Sequence, residues 1–498
     1  MCGIAGSYPV PQPEEVGVIL DAIGHRGPDG RAINELEKAC FGHVRLAVLD
    51  VEGGLQPMQL DDATLTFNGE IYNYRQLAEK YLPGVELKTH SDTEVVLHLL
   101  KRYGPDIIRR FDGMFAFAYI RNGNLILARD PLGIKPLYMG KRDDVTFFAS
   151  EIKALAPITG QVQEFPAGMI YQPAQGFKSF FPLSSLVHNR ITPETPAEVL
   201  PIIQQVTRQA VHKRMLADVP VGVSLSGGLD SSIIALLARE TKEDLNTFAV
   251  GVEGSRDLPA ACKVAKWLHT RHHEYVFTLQ EIESVLPEVI CSLETFDAPL
   301  VRSSIANYFL AQLVSQHVKV FLTGEGADEL YGGYDYMAKF TQPGDLQNEM
   351  INVTLALHNT NLQRGDRLSM LFGLEARIPF LDLESVLYGL SLPAEWKLHS
   401  PQRPSKWLLR QAFSGLLPDE ITWRPKAKFS KGAGSSELLV KKIETEISDT
   451  EFEKEQHRLQ NEWNVKLQNK EEFYYYKILR QFYPDDWVLP GMGRSRSL

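Results

Sequence analysis

Short apolar segments separated by turn signals fill the first part of the chain, up to about residue 181. Apolar runs lie next to the pairs Asn68-Gly69 and Asn122-Gly123. Such runs beside Asn-Gly pairs are typical of β-strands joined by tight turns. A helix is predicted from Ser91, because a Ser-Asp start precedes apolar residues at helical spacing. We therefore expect a mainly β unit with a few helices.

The pattern changes beyond about residue 200. Short apolar runs now alternate with stretches whose apolar residues recur at helical spacing; the runs occupy residues 219–225, 247–252 and 318–322. Strands that alternate with helices predict a parallel, doubly wound sheet. An α/β domain is therefore expected to follow the mainly β unit.

Two further segments differ in composition from the rest of the two domains. Residues 182–201 are rich in Pro, Ser, Thr and Asn, which marks a linker between domains at 2–190 and 200–498. Residues 437–483 mix Lys, Glu and Gln with spaced apolar residues. This mixture predicts a helical C-terminal part whose charges form a solvated face.

Composition and charge narrow the class of protein. The 498 residues exceed what one core usually serves, and a formal net charge of −10 argues against binding along a nucleic-acid backbone. The start of the chain lacks a basic region followed by an apolar core, and no apolar run approaches the roughly 18 residues of a membrane span. The 4 cysteines are scattered and suggest a reducing compartment. A cytoplasmic location without a membrane partner is the expectation.

Cys2 directly follows the initiator methionine. If Met1 is removed, the mature chain begins with a cysteine that carries a free α-amine. The thiol is a good nucleophile, and an α-amine titrates near 7.7 to 8.0, so it can act as the base of its own residue. Taken alone, Cys2 could equally be incidental.

Four motifs accompany this cysteine. They are H-R-G-P-D-G at residues 25–30, N-G-E-I-Y-N at 68–73, S-D-T-E at 91–94 and R-D-P-L-G-I-K-P-L-Y at 129–138. Together with C-G-I-A-G at the start, they resemble the glutaminase domain of class II glutamine amidotransferases. The resemblance implies a layered α+β domain of the N-terminal nucleophile hydrolase type, with mainly antiparallel strands, that takes ammonia from glutamine.

The same resemblance implies roles for individual residues. Cys2 would attack the glutamine side-chain amide, and Asn68 with Gly69 would form the oxyanion hole. The remaining glutamine-binding residues would be Arg45, Leu46, Ala47, Val48, Leu49, Glu70 and Asp92, in addition to Asn68 and Gly69. Within this set Arg45 would pair with the α-carboxylate, and Asp92, with Glu70, would hold the α-ammonium. The alternative for each is a turn residue or a surface ion pair, and His25 and His43 are expected to be structural.

A glycine- and serine-rich turn lies between an apolar run and a helical stretch, at residues 219–232. The turn exposes backbone N–H groups to a phosphate, but it lacks the lysine of a Walker A loop. S-G-G-L-D-S-S resembles the pyrophosphate loop of enzymes that cleave ATP between its α and β phosphates. The expected ATP-binding residues here are Leu225, Ser226, Gly227, Gly228, Leu229, Asp230, Ser231 and Ser232. Asp230 is either a magnesium ligand or a helix N-cap.

A second loop, L-T-G-E-G-A-D-E-L-Y-G-G-Y at residues 322–334, also ends an apolar run. It is similar to a segment of the asparagine synthetase family, with Thr323 and Ala327 where serines are usual. This resemblance implies that Glu325 is catalytic and that Asp328 is a second Mg²⁺ ligand. It adds ATP contacts at Val250, Thr323, Gly324 and Lys426, of which the lysine would neutralise the leaving pyrophosphate.

The family resemblance covers nearly the whole chain and implies an overall reaction. Ammonia from glutamine would amidate aspartate through a β-aspartyl-adenylate, giving asparagine, AMP, pyrophosphate and glutamate; Mg²⁺ would be the cofactor and a homodimer is possible. Arg302 would bind the acceptor, although the family usually has threonines near Ala298 and Pro299. The alternatives are a different carboxylate acceptor, as in β-lactam-forming relatives, and a non-catalytic metabolite sensor.

Overall fold

The computed structural model describes residues 2–187, 195–425, 443 and 446–495. Within these residues the strands form three sheets, two of six strands and one of five. No described helix combines the length and the apolar character that crossing a membrane requires.

The first two sheets are antiparallel and belong to the first part of the chain. Their strand orders are β10-β8-β9-β1-β3-β2 and β12-β11-β7-β6-β5-β4. The strands are β1 (Gly3–Tyr8), β2 (Gly30–Leu36), β3 (Ala39–Arg45), β4 (Met58–Leu60), β5 (Ala63–Ile71), β6 (Gly113–Arg121), β7 (Asn124–Arg129), β8 (Tyr138–Arg142), β9 (Val145–Ala149), β10 (Val162–Glu164), β11 (Met169–Gln172) and β12 (Gly176–Ser179).

The two sheets pack face to face between helices, as the alternation of side chains along each strand requires. Ile4, Phe41 and Ala116 point into the core between the sheets. The outer face of the β1 sheet is covered by α1 (Pro13–Ala22) and α4 (Ile152–Leu155). The outer face of the β5 sheet is covered by α2 (Tyr74–Tyr81) and α3 (Asp92–Tyr103). The expected layered α+β domain is confirmed.

Two local predictions in this domain are confirmed and one is wrong. Asn122 and Gly123 form the turn between β6 and β7, both with positive φ, and Ser91 caps α3 by accepting from the Thr93 amide. The turn predicted at Asn68-Gly69 is wrong. Both residues lie inside β5, paired with β6, and a Cβ on Gly69 would lie 2.1 Å from the Met114 carbonyl oxygen. The glycine serves this close approach of two strands.

The third sheet is parallel throughout and has the order β15-β14-β13-β16-β17. The winding direction reverses between β13 and β16, which creates a switch point where ligands bind at the carboxyl ends of the strands. The predicted doubly wound α/β domain is thereby confirmed. Its strands are β13 (Val221–Ser224), β14 (Asn246–Gly251), β15 (Arg271–Val276), β16 (Val320–Leu322) and β17 (Glu375–Arg377).

Helices cover both faces of the parallel sheet and continue beyond it. Those of the sheet and its connections are α5 (Leu183–Leu186), α6 (Pro196–Arg214), α7 (Leu229–Arg239), α8 (Asp257–Leu268), α9 (Leu279–Leu293), α10 (Ala298–Ser315), α11 (Ala327–Tyr331), α12 (Pro343–Leu355) and α13 (Asn361–Leu371). Those that follow β17 are α14 (Leu383–Ser391), α15 (Trp407–Phe413), α16 (Asp419–Thr422), α17 (Asp449–Trp463) and α18 (Lys470–Leu479).

Among the described residues of the charged C-terminal part, α17 and α18 are helical as predicted, and of these two only α17 has a solvated face. In α17 Leu459 is the only buried residue. In α18, by contrast, Glu471 and Glu472 are buried. Arg302 on α10 lies 3.4 Å from Glu471, and Arg494 lies 2.5 Å from Glu472. The solvated-face prediction is therefore wrong for α18, because arginines distant in sequence neutralise its carboxylates.

Candidate active sites

The first candidate site surrounds Cys2, which is buried and leads into β1. The Cys2 backbone nitrogen donates to Asn68 Oδ1 at 3.1 Å. Its Sγ lies 3.9 Å from the Leu46 carbonyl oxygen, and Arg26 Nε donates to its carbonyl oxygen at 3.1 Å. Burial raises the pKa of the Cys2 thiol above its usual range, so the thiol needs a base to become a nucleophile.

Asn68 presents an unused donor beside this thiol. Its Oδ1 is engaged by Cys2, while its Nδ2 is buried and has no acceptor among the residues that the structure describes. A buried donor without a partner is costly unless a ligand completes it. Such a donor suits an oxygen that becomes negative during the reaction.

Carboxylates crowd the far side of the same site. Asp92 accepts from the Ile71 amide at 2.8 Å, and burial raises the pKa of Asp92 to about 6. Burial, with Glu375 and Asp92 close by, raises the pKa of Glu70 well above its usual range. Arg377 Nη2 lies 3.8 Å from Glu70 Oε1. A cationic group such as an α-ammonium would relieve this excess of negative charge.

Arg45 stands at the end of β3, one residue beyond Val44, which pairs with Gly3. Its guanidinium donates to the carbonyl oxygens of Val51 at 2.9 Å and Asp50 at 2.6 Å. The predicted glutamine-binding segment reaches the Cys2 site at Leu46, whose carbonyl oxygen lies 3.9 Å from the Cys2 Sγ. Its remaining members are Leu46, Ala47 and Val48, which are buried, and Leu49, which is partly exposed.

The two histidines of this domain are held in structural contacts. His43 is buried, its Nδ1 lies 3.2 Å from Thr66 Oγ1, and burial lowers the pKa of His43 to about 3. His25 Nε2 lies 3.3 Å from Glu151. His43 Nε2 is buried without a partner among the described residues, and the structural role of both histidines stays a prediction.

The second candidate site lies at the switch point of the parallel sheet. The loop after β13 folds on itself, because Ser231 Oγ accepts from the Ser226 amide at 3.2 Å and donates to the Gly228 carbonyl at 3.2 Å. Gly227 has a φ of +67°, and a Cβ there would lie 2.4 Å from the Ala260 carbonyl carbon. The loop thus passes closely over α8 and leads into the N-terminus of α7, a geometry that suits phosphate.

The loop after β16 lies directly against the loop after β13. A Cβ on Gly324 would lie 2.9 Å from the Asp230 Cβ, so only a glycine lets the two loops approach this closely. Asp230 and Asp328 then converge on one point, where Lys406 Nζ lies 2.5 Å from Asp230 and 2.7 Å from Asp328. Burial opposes the charge on Lys406, but the two carboxylates outweigh it and raise the pKa of the lysine.

Lys406 was not found from the sequence. It lies 176 residues from Asp230, just before α15, and no motif or period marks it. Lys426, the lysine predicted to neutralise the pyrophosphate, lies outside the described residues.

A cavity of about 680 Å³ opens between the two loops, a size typical of small-molecule sites. Glu325 lies on its wall, ion-paired with Arg364 of α13. The predicted residues that line it are Leu225, Ser226, Gly228, Leu229, Asp230, Ser231, Val250, Arg302, Thr323, Gly324, Glu325 and Asp328. Gly227 and Ser232 are not in the lining and instead shape the loop behind it.

Thr323 and Arg302 line this cavity with different local partners. Thr323 Oγ1 is buried and has no partner within the described part of the chain. Arg302 is held at 3.4 Å by Glu471 and at 3.4 Å by the Ala298 carbonyl oxygen. The hydroxyl is therefore available to a ligand, whereas the Arg302 charge is already balanced.

A buried cluster of charges joins the two domains beside Cys2. Arg26 donates to Glu151 at 2.6 Å and to Asp366 of α13 at 2.8 Å. Lys135 lies 3.2 Å from Asp366, and Arg367 lies 2.8 Å from Glu294. Helix α13 therefore contacts the Cys2 site through Asp366 and the cavity through Arg364. No local pattern indicates that these residues meet, because they come from five separate segments.

Comparisons with known proteins agree with this geometry. A family model described as a glutamine amidotransferase domain matches residues 1–212. A model described as asparagine synthase matches residues 203–342 and 338–492. The chain is 38% identical over 487 residues to a glutamine-hydrolysing asparagine synthetase of Arabidopsis thaliana, covering 93% of this chain and 83% of the relative. It is also 38% identical over 531 residues to a probable glutamine-hydrolysing asparagine synthetase of Schizosaccharomyces pombe, covering 97% and 94%.

Two solved structures align with the chain at low TM-scores. A glutamine phosphoribosylpyrophosphate amidotransferase of B. subtilis aligns with a TM-score of 0.32 and 20% identity over 55% of this chain and 65% of its own. An NMN synthetase of Francisella tularensis aligns with a TM-score of 0.28 and 14% identity over 61% of this chain and 98% of its own.

Proposed function

Because the chain belongs to the family of glutamine-hydrolysing asparagine synthetases, we propose that it converts aspartate to asparagine with ammonia taken from glutamine. We assign glutamine hydrolysis to residues 2–190 and ATP-driven amidation to residues 200–498. The converging carboxylates of Asp230 and Asp328 in the switch-point cavity are the observation that carries the proposal. Combined with the Cys2 site in the same chain, they provide both a nitrogen source and a means of activating a carboxylate.

In the first half-reaction, the thiol of Cys2 attacks the side-chain carbonyl carbon of glutamine after Met1 has been removed. The α-amine of Cys2 takes the thiol proton and passes it to the leaving ammonia, which departs as the C–N bond breaks. Asn68 Nδ2 and the Gly69 amide stabilise the oxyanion, while Arg45 and Asp92 hold the ends of the amino acid. Water then hydrolyses the thioester to glutamate.

In the second half-reaction, the β-carboxylate of aspartate attacks the α-phosphorus of ATP, and pyrophosphate leaves. The resulting acyl-adenylate has a good leaving group, which a free carboxylate lacks. Ammonia attacks the acyl carbon, Glu325 accepts its proton, and AMP leaves. The backbone amides at Gly228 and Gly324 face the phosphates, and Lys406 balances the charge of the pyrophosphate.

Mg²⁺ fits the donor set of this cavity. Asp230 and Asp328 supply hard carboxylate oxygens that already converge on one cation, the Lys406 ammonium. Phosphate oxygens would complete the oxygen coordination that Mg²⁺ prefers. When bound, the ion would neutralise charge on the transferring phosphates.

Strand β17 contacts both candidate sites. Glu375 interacts with the Cys2 site, and the next residue, Ala376, lines the cavity. Ammonia released at Cys2 is expected to pass this strand within the protein, where exclusion of water keeps it uncharged and nucleophilic. The cytoplasmic location and the homodimer remain predictions.

The test is an assay with ATP, Mg²⁺, a nitrogen source and a panel of amino acids, in which pyrophosphate, AMP and amide products are measured. We expect pyrophosphate and AMP with aspartate only. Cys2→Ala should abolish use of glutamine and spare synthesis from added ammonia. Glu325→Ala should reduce synthesis from either nitrogen source and leave glutamine hydrolysis measurable.

Three results would contradict the proposal. Release of ADP instead of AMP would exclude the adenylate, and a Met1 that is retained in the active protein would exclude the α-amine base. Loss of ammonia-dependent synthesis in Cys2→Ala, with the fold intact by circular dichroism, would contradict separate sites.

A further inference from the structure

Arg364 lines the cavity and carries an unused buried donor. The residue lies on α13, its side chain is 8% exposed, and it lines the cavity beside Glu325. Its Nη2 donates to Glu325 Oε1, while its Nε is buried and has no acceptor among the described residues. A buried guanidinium N–H without a partner is costly, and in a cavity wall it marks a place for an anion.

Arg302 also lines the cavity and lies in the predicted acceptor segment. It is more exposed than Arg364, and its guanidinium already has a buried carboxylate partner. Its side chain is 32% exposed and lies 3.4 Å from the buried carboxylate of Glu471. Burial raises the pKa of Glu471, and the neighbouring Arg302 opposes that shift. Moving Arg302 to a substrate would leave Glu471 buried with less compensation, which is unfavourable. Of these two arginines, Arg364 is the better carboxylate receptor.

Glu325 is a partner that Arg364 can exchange at little cost. Its side chain is 30% exposed, so it can turn towards solvent or the cavity at little cost when its ion pair breaks. A planar substrate carboxylate could instead bind the guanidinium through two parallel hydrogen bonds, one of them to the unused Nε.

We propose that Arg364 binds the α-carboxylate of the amino-acid acceptor in exchange for Glu325. The inference rests on the proposed function and names the residue that selects its acceptor. In the ligand-free protein the guanidinium engages the Glu325 carboxylate. Acceptor binding transfers the guanidinium to the substrate, and Glu325 becomes available to the attacking ammonia.

Because of this exchange, Glu325 acts as the base only when the acceptor is bound. When ammonia attacks the acyl carbon, a new C–N bond forms, the proton moves to a Glu325 oxygen, and the bond to the AMP oxygen breaks with its electron pair. Until the acceptor displaces it, the Glu325 carboxylate stays in its ion pair with Arg364. The ion pair between Glu325 and Arg364 thus keeps the base engaged until the acceptor binds.

The test compares Arg364→Gln with the matched variant Arg302→Gln, using aspartate-dependent exchange between ATP and pyrophosphate. We expect Arg364→Gln to raise the KM for aspartate about 10- to 100-fold, as the loss of a charged hydrogen bond implies. The KM for ATP and the rate of glutamine hydrolysis should stay within about 3-fold of the wild type. Arg302→Gln should change the KM for aspartate much less.

A second readout uses the α-amide of aspartate, which keeps the reacting β-carboxylate but lacks the α-carboxylate. In the wild type its inhibition constant should far exceed the KM for aspartate, and Arg364→Gln should reduce this ratio towards one. An unchanged ratio, or a larger rise in the KM for aspartate in Arg302→Gln, would overturn the inference while the wild-type exchange upholds the function. A wild type without aspartate-dependent exchange would overturn both.

Discussion

Replacing Asp366 by asparagine tests whether the buried charges between the domains stabilise the folded protein. Asp366 accepts from Arg26 at 2.8 and 3.2 Å and from Lys135 at 3.2 Å. All three side chains are at most 3% exposed. Asparagine keeps the shape but removes the charge, and its amide N–H groups face other donors.

The expected cost is large because the cations remain buried. Removing one partner of a buried ion pair costs about 3–5 kcal/mol. At about 2 °C per kcal/mol for a large domain, the melting temperature should fall by about 6–10 °C. The matched control is Asp21→Asn, because Asp21 also pairs with an arginine, Arg31, at 2.5 Å, but the two side chains are 68% and 46% exposed. This control should change the stability by less than about 1 kcal/mol.

The pH dependence supplies a second check. Burial opposes ionisation of Asp366, but Arg26 and Lys135 outweigh it and hold the pKa of Asp366 below its usual range. The stabilisation is therefore complete above the unfolded-state pKa of about 4 and is lost as the pH falls towards the folded-state value. Calorimetry of both variants at pH 7 and in acid measures the stabilisation that Asp366 contributes. A fall in melting temperature below about 1 °C at pH 7, or a difference that grows in acid, would refute the reasoning.

Three further predictions concern the proposed sites. Asn68→Ala should lower kcat for glutamine hydrolysis about 10²- to 10³-fold by removing the unused Nδ2 donor, and kcat with ammonia serves as the control that must not change. Since burial raises the pKa of Asp92 to about 6, protonation should raise the KM for glutamine as the pH falls through 6, and Asp92→Asn should raise that KM and flatten its pH profile. Lys406→Met should lower exchange between ATP and pyrophosphate about 10- to 100-fold; exchange within 2-fold of the wild type would exclude its contact with pyrophosphate.

The sequence by itself determined the features that depend on neighbouring residues. Ser91 and the Asn122-Gly123 turn were predicted because capping and tight turns use groups a few residues apart. The glycine- and serine-rich loop ending in Asp230 was predicted for the same reason, since its phosphate-facing amides come from one short segment. Alternation of apolar runs with helical periods likewise predicted the parallel sheet.

The tertiary structure alone decided which distant side chains meet. Lys406 joins Asp230 across 176 residues, and Asp366 joins Arg26 across 340. Local periodicity carries no information about such contacts, because they arise only when the sheet twists and its helices pack. The Asn68-Gly69 prediction failed for the same reason, since the close approach of β6 explains a glycine that the sequence shows only as a turn signal.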